Sequence, residues 1–500
     1  MPGHLWNGRT SKTITVSLLV GSALVLALFS AHTLYTSKEA QVALLGTQHT
    51  VQDPHINYAS PRKSEEASMP AFCDVFDVSK IAISIKTGAT EARNKIPTQL
   101  TTFLRCIPDP MIFSDLQQRI GSHDLEDVLS GYPRTQGNAD FNLYRTQQQY
   151  AEQGRETELA RLDKIPIPFE DWRTAGKNAA WALDKYKFLP MIKRAWDRQP
   201  GKEWYIFIEA DTYVSISNLL RFLDTQDCKQ RLYFGNGVRM FEHNTPLDFA
   251  HGGSGFILSG ATVEAFAQAC HNITHKFTPA RISEWWYGDF VVADALDEEL
   301  NIQVTDITPM INADEPAMLP FDRSTWCRPV ITLHHLHPRQ FDDMYKFQKS
   351  RNFSELLFRD VYAATYKNGL PLMGDLWDNA SDDRRYNLDI RPNDLTRIDA
   401  GSDDEELRDP HNSYKACEAA CDQNGHCFQF SYLVRMKQRD DGGLEATPEC
   451  HLSRVFRFGK EVHPDAHAPG TQWTSGWRTD RIRKFIEENQ ECTDLNFGLS

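Results

Sequence analysis

The sequence predicts an α/β fold with a mostly parallel central sheet, and three observations carry that expectation. Short apolar runs suited to buried strands, at Lys80–Lys86, Met111–Asp115 and Glu203–Ile208, alternate with stretches of helical period. The first run turns at Gly88 into a helical segment, Glu91 to Arg105. The third ends abruptly in two acids, Glu209 and Asp211, at the carboxyl end of a strand, where open α/β sheets bind ligands.

Taken in order, residues 1–13 are a short tail carrying Arg9 and Lys12, and 14–35 is an uncharged apolar run long enough for a helix to cross a lipid bilayer. The basic flank predicts an uncleaved signal anchor with the tail cytosolic and the rest lumenal. Residues 36–70 are polar, with Pro54 and Pro61, and read as a stem. The sheet-bearing unit is expected over 71–395, with a helix at Leu116–Leu129 and another over Gly176–Trp196 whose aromatics, Trp181 among them, belong to the core. A helix to Leu223, a strand at Arg231–Gly235, a glycine-rich turn at His251–Gly260 and a helix beginning near Asp289 follow. A strand-like run from Trp326 then closes on His334, His335 and His337.

Residues 396–412 are acidic and read as a linker. Within 413–500, Cys417, Cys421, Cys427, Cys450 and Cys492 predict a disulfide-stapled module. The remaining cysteines, Cys73, Cys106, Cys228, Cys270 and Cys327, are odd in number, so one stays free or pairs elsewhere. All ten follow the apolar segment, as expected of a chain folding where disulfides persist, and the sequons at Asn272, Asn352 and Asn379 suit the same compartment.

With 500 residues, 41% of them hydrophobic, the chain can bury a large core and form two or more domains. A net charge of −14 offers no basic surface for nucleic acid, and an acidic protein that handles an anionic ligand needs a cation or local Lys/Arg. Glu209 and Asp211 suit a metal–diphosphate site, or Asp211 caps the following helix. Asp289 is a candidate general base or a first-turn acid favoured by the helix dipole. Trp285 and Trp286 either stack on a sugar or pack, and three histidines after a strand are candidate metal ligands.

These motifs, in this order over about 72–350, resemble glycosyltransferase family 31, the group of Fringe and the core 1 galactosyltransferases, most closely its fungal members. Ile83–Thr90 resembles the family's first nucleotide-binding strand, Glu209–Val214 its Asp-Asp-Asp-Thr-Tyr-Val metal motif, and Gly252–Ser259 its Gly-Gly-Ala-Gly-Tyr segment on the acceptor side. Gly288-Asp289 stands where the family has a Glu-Asp pair, and Leu333–His335 resembles the segment that supplies a metal-binding histidine. Glu209 and Ala210 replace the first two aspartates, and Gly288 the glutamate. The cysteine-rich end is similar to an Apple/PAN module.

The resemblance implies a GT-A-type fold in a Golgi or other secretory-pathway membrane. It implies inverting transfer of a hexosyl residue, galactose or an N-acetylhexosamine-like sugar, from a UDP-sugar to a glycan or glycoprotein hydroxyl, with Mn2+ or another divalent cation. By the same resemblance Asp211 and His334 hold the metal, Glu209 assists through water or ribose, and Asp289 is the base. Thr87 and Arg93 lie near the nucleotide, and Gly253, Trp285 and Trp286 lie on the acceptor side. The other function the residues allow is a non-catalytic relative that binds carbohydrate or protein.

Overall fold

The computed structural model describes residues 73 and 76–498, apart from 133–136, 160–161, 163–178, 243–244, 367–368, 372, 388–408, 439–443, 463–470 and 494. The expected tail, bilayer span and stem, and most of the acidic linker, lie outside the described residues. Among the described residues no helix is long and apolar enough to cross a membrane.

Strand β1 (Ile81–Lys86) is buried at every position, as a central strand covered on both faces must be. Helix α1 (Ala92–Thr101) follows, shorter than the expected 91–105, with a 3-10 turn at Phe103–Cys106 in place of its last turn. β2 (Met111–Ser114) pairs parallel with β1. The helix expected over Leu116–Leu129 is instead a hairpin, β3 (Gln118–Ile120) and β4 (His123–Asp127). Gly121 takes a φ of +59°, a turn that a residue with a β-carbon resists, and β4 then lies parallel to β2 with Leu125 in the core.

The single helix expected over 176–196 is two, α2 (Ala179–Asp184) and α3 (Phe188–Arg198), broken at Lys185–Lys187. The acid-tipped run forms β5 (Trp204–Glu209), parallel to β1, with Lys86 in register with Glu209. Its side chains alternate: Trp204, Ile206 and Ile208 join one core cluster, Tyr205 and Phe207 the other, so one strand feeds both faces of the sheet. β6 (Tyr213–Val214) and α4 (Ile216–Leu223) come next. β7 (Tyr233–Gly235) precedes a hairpin of β8 (Gly237–Glu242) and β9 (Thr245–Ala250). β10 (Phe256–Ser259) runs antiparallel between β5 and β7. α5 (Gly260–Lys276) and α6 (Gly288–Leu300) cover one face, and β11 (Thr305–Asp306) completes an eight-stranded sheet of order β11-β7-β10-β5-β1-β2-β4-β3. The α/β class with a mostly parallel sheet holds.

The remaining strands are β12 (Thr332–Leu333), β13 (Met373–Asp375), β14 (Trp377–Asp378), β15 (Arg384–Tyr386), β16 (Gln429–Gln438), β17 (Leu444–Ser453), β18 (Lys460–Glu461) and β19 (Gln472–Trp477), and five of them form an antiparallel sheet of order β13-β19-β16-β17-β15. Its later strands are β16, β17 and β19, but β13 and β15 come from residues assigned by sequence to the preceding unit. Disulfides Cys417–Cys450 and Cys421–Cys427 staple this end, while Cys492 pairs with Cys327 rather than within the module, and Cys73 pairs with Cys106. Two cysteines, Cys228 and Cys270, stay free, not one. The described residues fall in one compact unit. Asn379 is fully buried, its side-chain amide donating to the carbonyls of Phe430 and Gly476 at 3.1 and 3.4 Å, so the folded chain has no room for a glycan there.

Candidate active site

Two strand ends bring the site together. β12 (Thr332–Leu333) pairs antiparallel with β6, Leu333 opposite Tyr213, and the Leu336 N–H donates to the Asp211 carbonyl at 3.1 Å. A histidine more than a hundred positions away in sequence therefore lands against the acid at the tip of β5. His334 Nε2 lies 3.2 Å from Asp211 Oδ1 and 3.9 Å from a Glu209 oxygen. Ligand atoms of Asp211, His334 and His335 all lie within 4.8 Å of one another.

The tautomer of His334 decides what that contact means. Its Nδ1 is 3.2 Å from the Ala313 carbonyl, which can only accept, so Nδ1 carries the hydrogen and Nε2 turns a lone pair toward the carboxylate. Both Nε2 and Asp211 Oδ1 are buried without another hydrogen-bond partner. Two lone pairs meet at hydrogen-bond distance only with a cation between them, either a proton or a metal ion, and the donor set suits a divalent metal. Burial alone would lower the imidazole pKa, but Asp211 and Glu209 hold it above its usual value. Burial likewise pushes the Asp211 carboxyl up, yet the bond to His334 and the Lys95 ammonium, 3.1 Å from Oδ2, hold it well below the usual carboxylate range. Asp211 is thus no helix cap: α4 starts five residues later, after Ser215.

Glu209 sits differently. Lys86, 4% exposed, lies 2.9 Å from its Oε1 and also pairs closely with Asp184. Asp184 in turn meets Lys187 at 2.9 Å, and Lys187 meets the fully buried Asp115 at 2.9 Å. Burial would push the Lys86 ammonium down, but its two carboxylates raise it. Glu209 is therefore a charge-compensated neighbour of the metal-type pair rather than a free acid.

The groups face a cavity of about 420 Å3 lined also by Trp181, Phe188, Phe249, His251, Trp286, Tyr287 and Asp289. Asp289, 9% exposed, lies in the first turn of α6, as the helix-dipole reading expects. Its Oδ1 accepts from the Phe290 N–H and its Oδ2 from the Gly252 N–H at 2.6 Å. Burial outweighs these donors and the nearby His251, raising its pKa above the usual carboxylate value. A buried carboxylate of raised pKa at a cavity wall suits a general base.

The remaining expected residues divide. Gly253 backs the metal-type pair: a β-carbon there would lie 2.1 Å from His334 Cε1, so its place is under the imidazole, and its carbonyl accepts from Thr212. Trp286, 36% exposed, lines the cavity, while Trp285 packs on Phe290 with ring centroids 5.2 Å apart. Among the described residues the lining includes neither Thr87 nor Arg93. Thr87 is buried, with its carbonyl accepting from Lys187, and Arg93 is exposed on α1. From α1 it is Lys95 that reaches the acid. Trp181, expected in the core, forms part of the cavity wall.

Sequence reasoning missed Lys86, Lys95, Asp184 and His251. The first two lay within named strand and helix segments, but only the β1–β5 register and the contact of α1 with the tip of β5 reveal their partners. Residues 179–330 match the Fringe family model, described as Fringe-like, a span that holds Glu209, Asp211, Gly253, Trp285, Trp286 and Asp289 and stops before His334. The match supports the family 31 resemblance over that stretch. No curated protein matches the chain.

Proposed function

We propose that the chain is a metal-dependent, inverting glycosyltransferase that moves a hexosyl residue, galactose or an N-acetylhexosamine-like sugar, from a UDP-sugar to a glycan or glycoprotein hydroxyl. The observation that carries this reading is the convergence of Asp211, His334 and Asp289 on one cavity at the carboxyl end of β5. The Fringe-like match and the α/β sheet support it. Manganese or a similar cation, when bound, takes up charge on the UDP leaving group. Asp211 and His334 hold that cation, Lys95 holds the Asp211 carboxylate in place, and Glu209 adds negative charge offset by Lys86. Asp289, kept in position by the Gly252 and Phe290 N–H groups, accepts the proton of the attacking hydroxyl. Trp286 and Tyr287 offer rings for a sugar face and exclude water. Thr87 and Arg93 remain assigned to the nucleotide side through the resemblance.

In this reading residues 14–35 anchor the chain in a secretory-pathway membrane, Golgi or similar, with the sheet-bearing unit and the Apple/PAN-like disulfide-stapled end lumenal. The four disulfides agree with an oxidising compartment. The test is UDP release from a panel of UDP-sugars with Mn2+, with and without chelator. Chelator-sensitive release that Asp211→Asn abolishes supports the transferase. No release with any donor would leave the carbohydrate-binding alternative.

A further inference from the structure

We propose that His335 is a third protein ligand of the cation, taking the place of the acid missing from the middle of the acidic motif, and that the site accordingly favours Co2+ or Mn2+ over Mg2+. The inference rests on the metal site of the proposed function. Three observations support it.

The strand tip has only one carboxylate to give. Ala210, where the resembled motif has an aspartate, is 2% exposed and packs in the core, and Glu209, 3.9 Å from His334 Nε2, stands outside the group of ligand atoms that Asp211 and His334 share. One carboxylate and one imidazole leave a divalent cation short of protein ligands. His335 stands where a further donor is needed: it lines the same cavity, and its ring nitrogen belongs to the set of ligand atoms within 4.8 Å of one another.

The backbone is arranged to put it there. His335 has a φ of +59°, the left-handed region that a residue with a β-carbon resists. The conformation is fixed on both sides, by the His334 N–H donating to the Asp314 carbonyl at 3.3 Å and the Leu336 N–H donating to the Asp211 carbonyl at 3.1 Å. Strain of this kind persists where surrounding structure over-determines it, and here one of the fixing bonds comes from the candidate metal ligand itself. The two imidazoles stack with centroids 3.7 Å apart and planes 30° apart, and a nitrogen of each lies within 4.8 Å of the other and of an Asp211 oxygen.

The donor set determines the preference. Carboxylate and water suit Mg2+, whereas imidazole suits the first-row transition ions, so two imidazoles and one carboxylate bias the site toward the latter.

The test uses the metal-stripped full chain titrated with Co2+ alone and with Mg2+ alone, following calorimetry and the visible bands of Co2+. Wild type should bind Co2+ at least about tenfold more tightly than Mg2+, and His335→Gly should lose about tenfold or more in Co2+ affinity with altered bands and little change for Mg2+. Glycine relaxes the left-handed turn, so a loss in this variant is a loss of the imidazole and not of the fold. His335→Ser, checked by thermal unfolding, should repeat it. Unchanged Co2+ affinity and bands in both variants would overturn the proposal. If His335→Gly leaves Co2+ binding intact while His334→Ala abolishes it, the third ligand fails and the transferase reading stands. If Co2+ binding follows both histidines but no UDP-sugar turns over, the ligand assignment stands and the transferase reading fails.

Discussion

Gly253→Ala is the sharpest single test of how the site is built. A β-carbon at this position would lie 2.1 Å from His334 Cε1, 2.6 Å from Nε2 and 2.7 Å from Nδ1. Carbon atoms pack at about 3.5–4 Å, so the ring must withdraw by more than about 1 Å. A metal–nitrogen bond tolerates about 0.2 Å, so the withdrawn imidazole no longer ligates. The alternative, moving the Gly252–Ser254 turn, breaks the Gly252 N–H bond to Asp289 and disturbs the base instead. The methyl should also cost about 1–3 kcal/mol of stability through overpacking. The assay is Mn2+ affinity by calorimetry with thermal unfolding alongside, for Gly253→Ala, His334→Ala and the double variant. The expected results are at least about a tenfold loss of Mn2+ affinity in each single variant and little further loss in the double, because the two act on one contact. A folded Gly253→Ala protein that binds Mn2+ as wild type does would refute the construction.

Asp289→Asn should abolish turnover while leaving UDP–Mn2+ binding intact, and wild-type kcat/KM should fall with acidification through a pKa above the ordinary carboxylate value of 3.8. Because the folded pKa is raised, the stability contribution of this carboxyl is full below its unfolded pKa and lost as pH rises through the folded one. The melting temperature of Asp289→Asn relative to wild type should therefore rise from acid to neutral pH, on top of a fixed cost for the one N–H acceptor that asparagine lacks; a pH-independent difference contradicts the burial argument. Lys86→Met should cost about 3 kcal/mol in denaturant unfolding, the low end for a broken buried pair, since Asp184 keeps Lys187 and Glu209 is part-solvated; a neutral variant would show the ladder to be structurally idle. In protein expressed through a secretory pathway, deglycosylation in heavy-oxygen water followed by peptide mapping should find Asn379 unmodified, and a glycan there would contradict its burial.

Much of the sheet was legible because buried parallel strands leave continuous apolar runs: Ile81–Lys86, Met111–Ser114 and Trp204–Glu209 stand out against polar surroundings. Leu116–Leu129 misled because its apolar spacing fits a helix equally well, and only the left-handed Gly121 reveals the hairpin. Asp211, His334 and Asp289 could be named from residue type and placement, since each lies at an element's end. Lys86 could not, because a lysine closing a strand is ordinarily solvated and its burial depends on Asp184 arriving from a helix about a hundred positions later. The module boundary was misjudged for a related reason: β13 and β15 are three residues long and carry no period a sequence can show, yet they flank the terminal sheet.

The departures from the resembled motifs become intelligible as consequences of packing. At Gly288, where the family pattern has glutamate, a β-carbon would lie 2.4 Å from the Phe188 ring and 2.7 Å from the Lys185 Cα, so helices α2 and α3 have closed into the space a side chain would need. That closure seats Phe188 under Lys86, 4.5 Å from the ring centroid, and brings Asp184 to the same ammonium. Lys86 in turn offsets Glu209, and Asp211 beside it is drawn toward Lys95 and His334. A glutamate restored at 288 would push Phe188 out and unseat Lys86, leaving Asp184 and Glu209 to face each other uncompensated. The altered acids and the glycine thus belong to one arrangement, in which Lys86 and Lys95 balance the carboxylates at the strand tip. Restoring any one alone disturbs the rest.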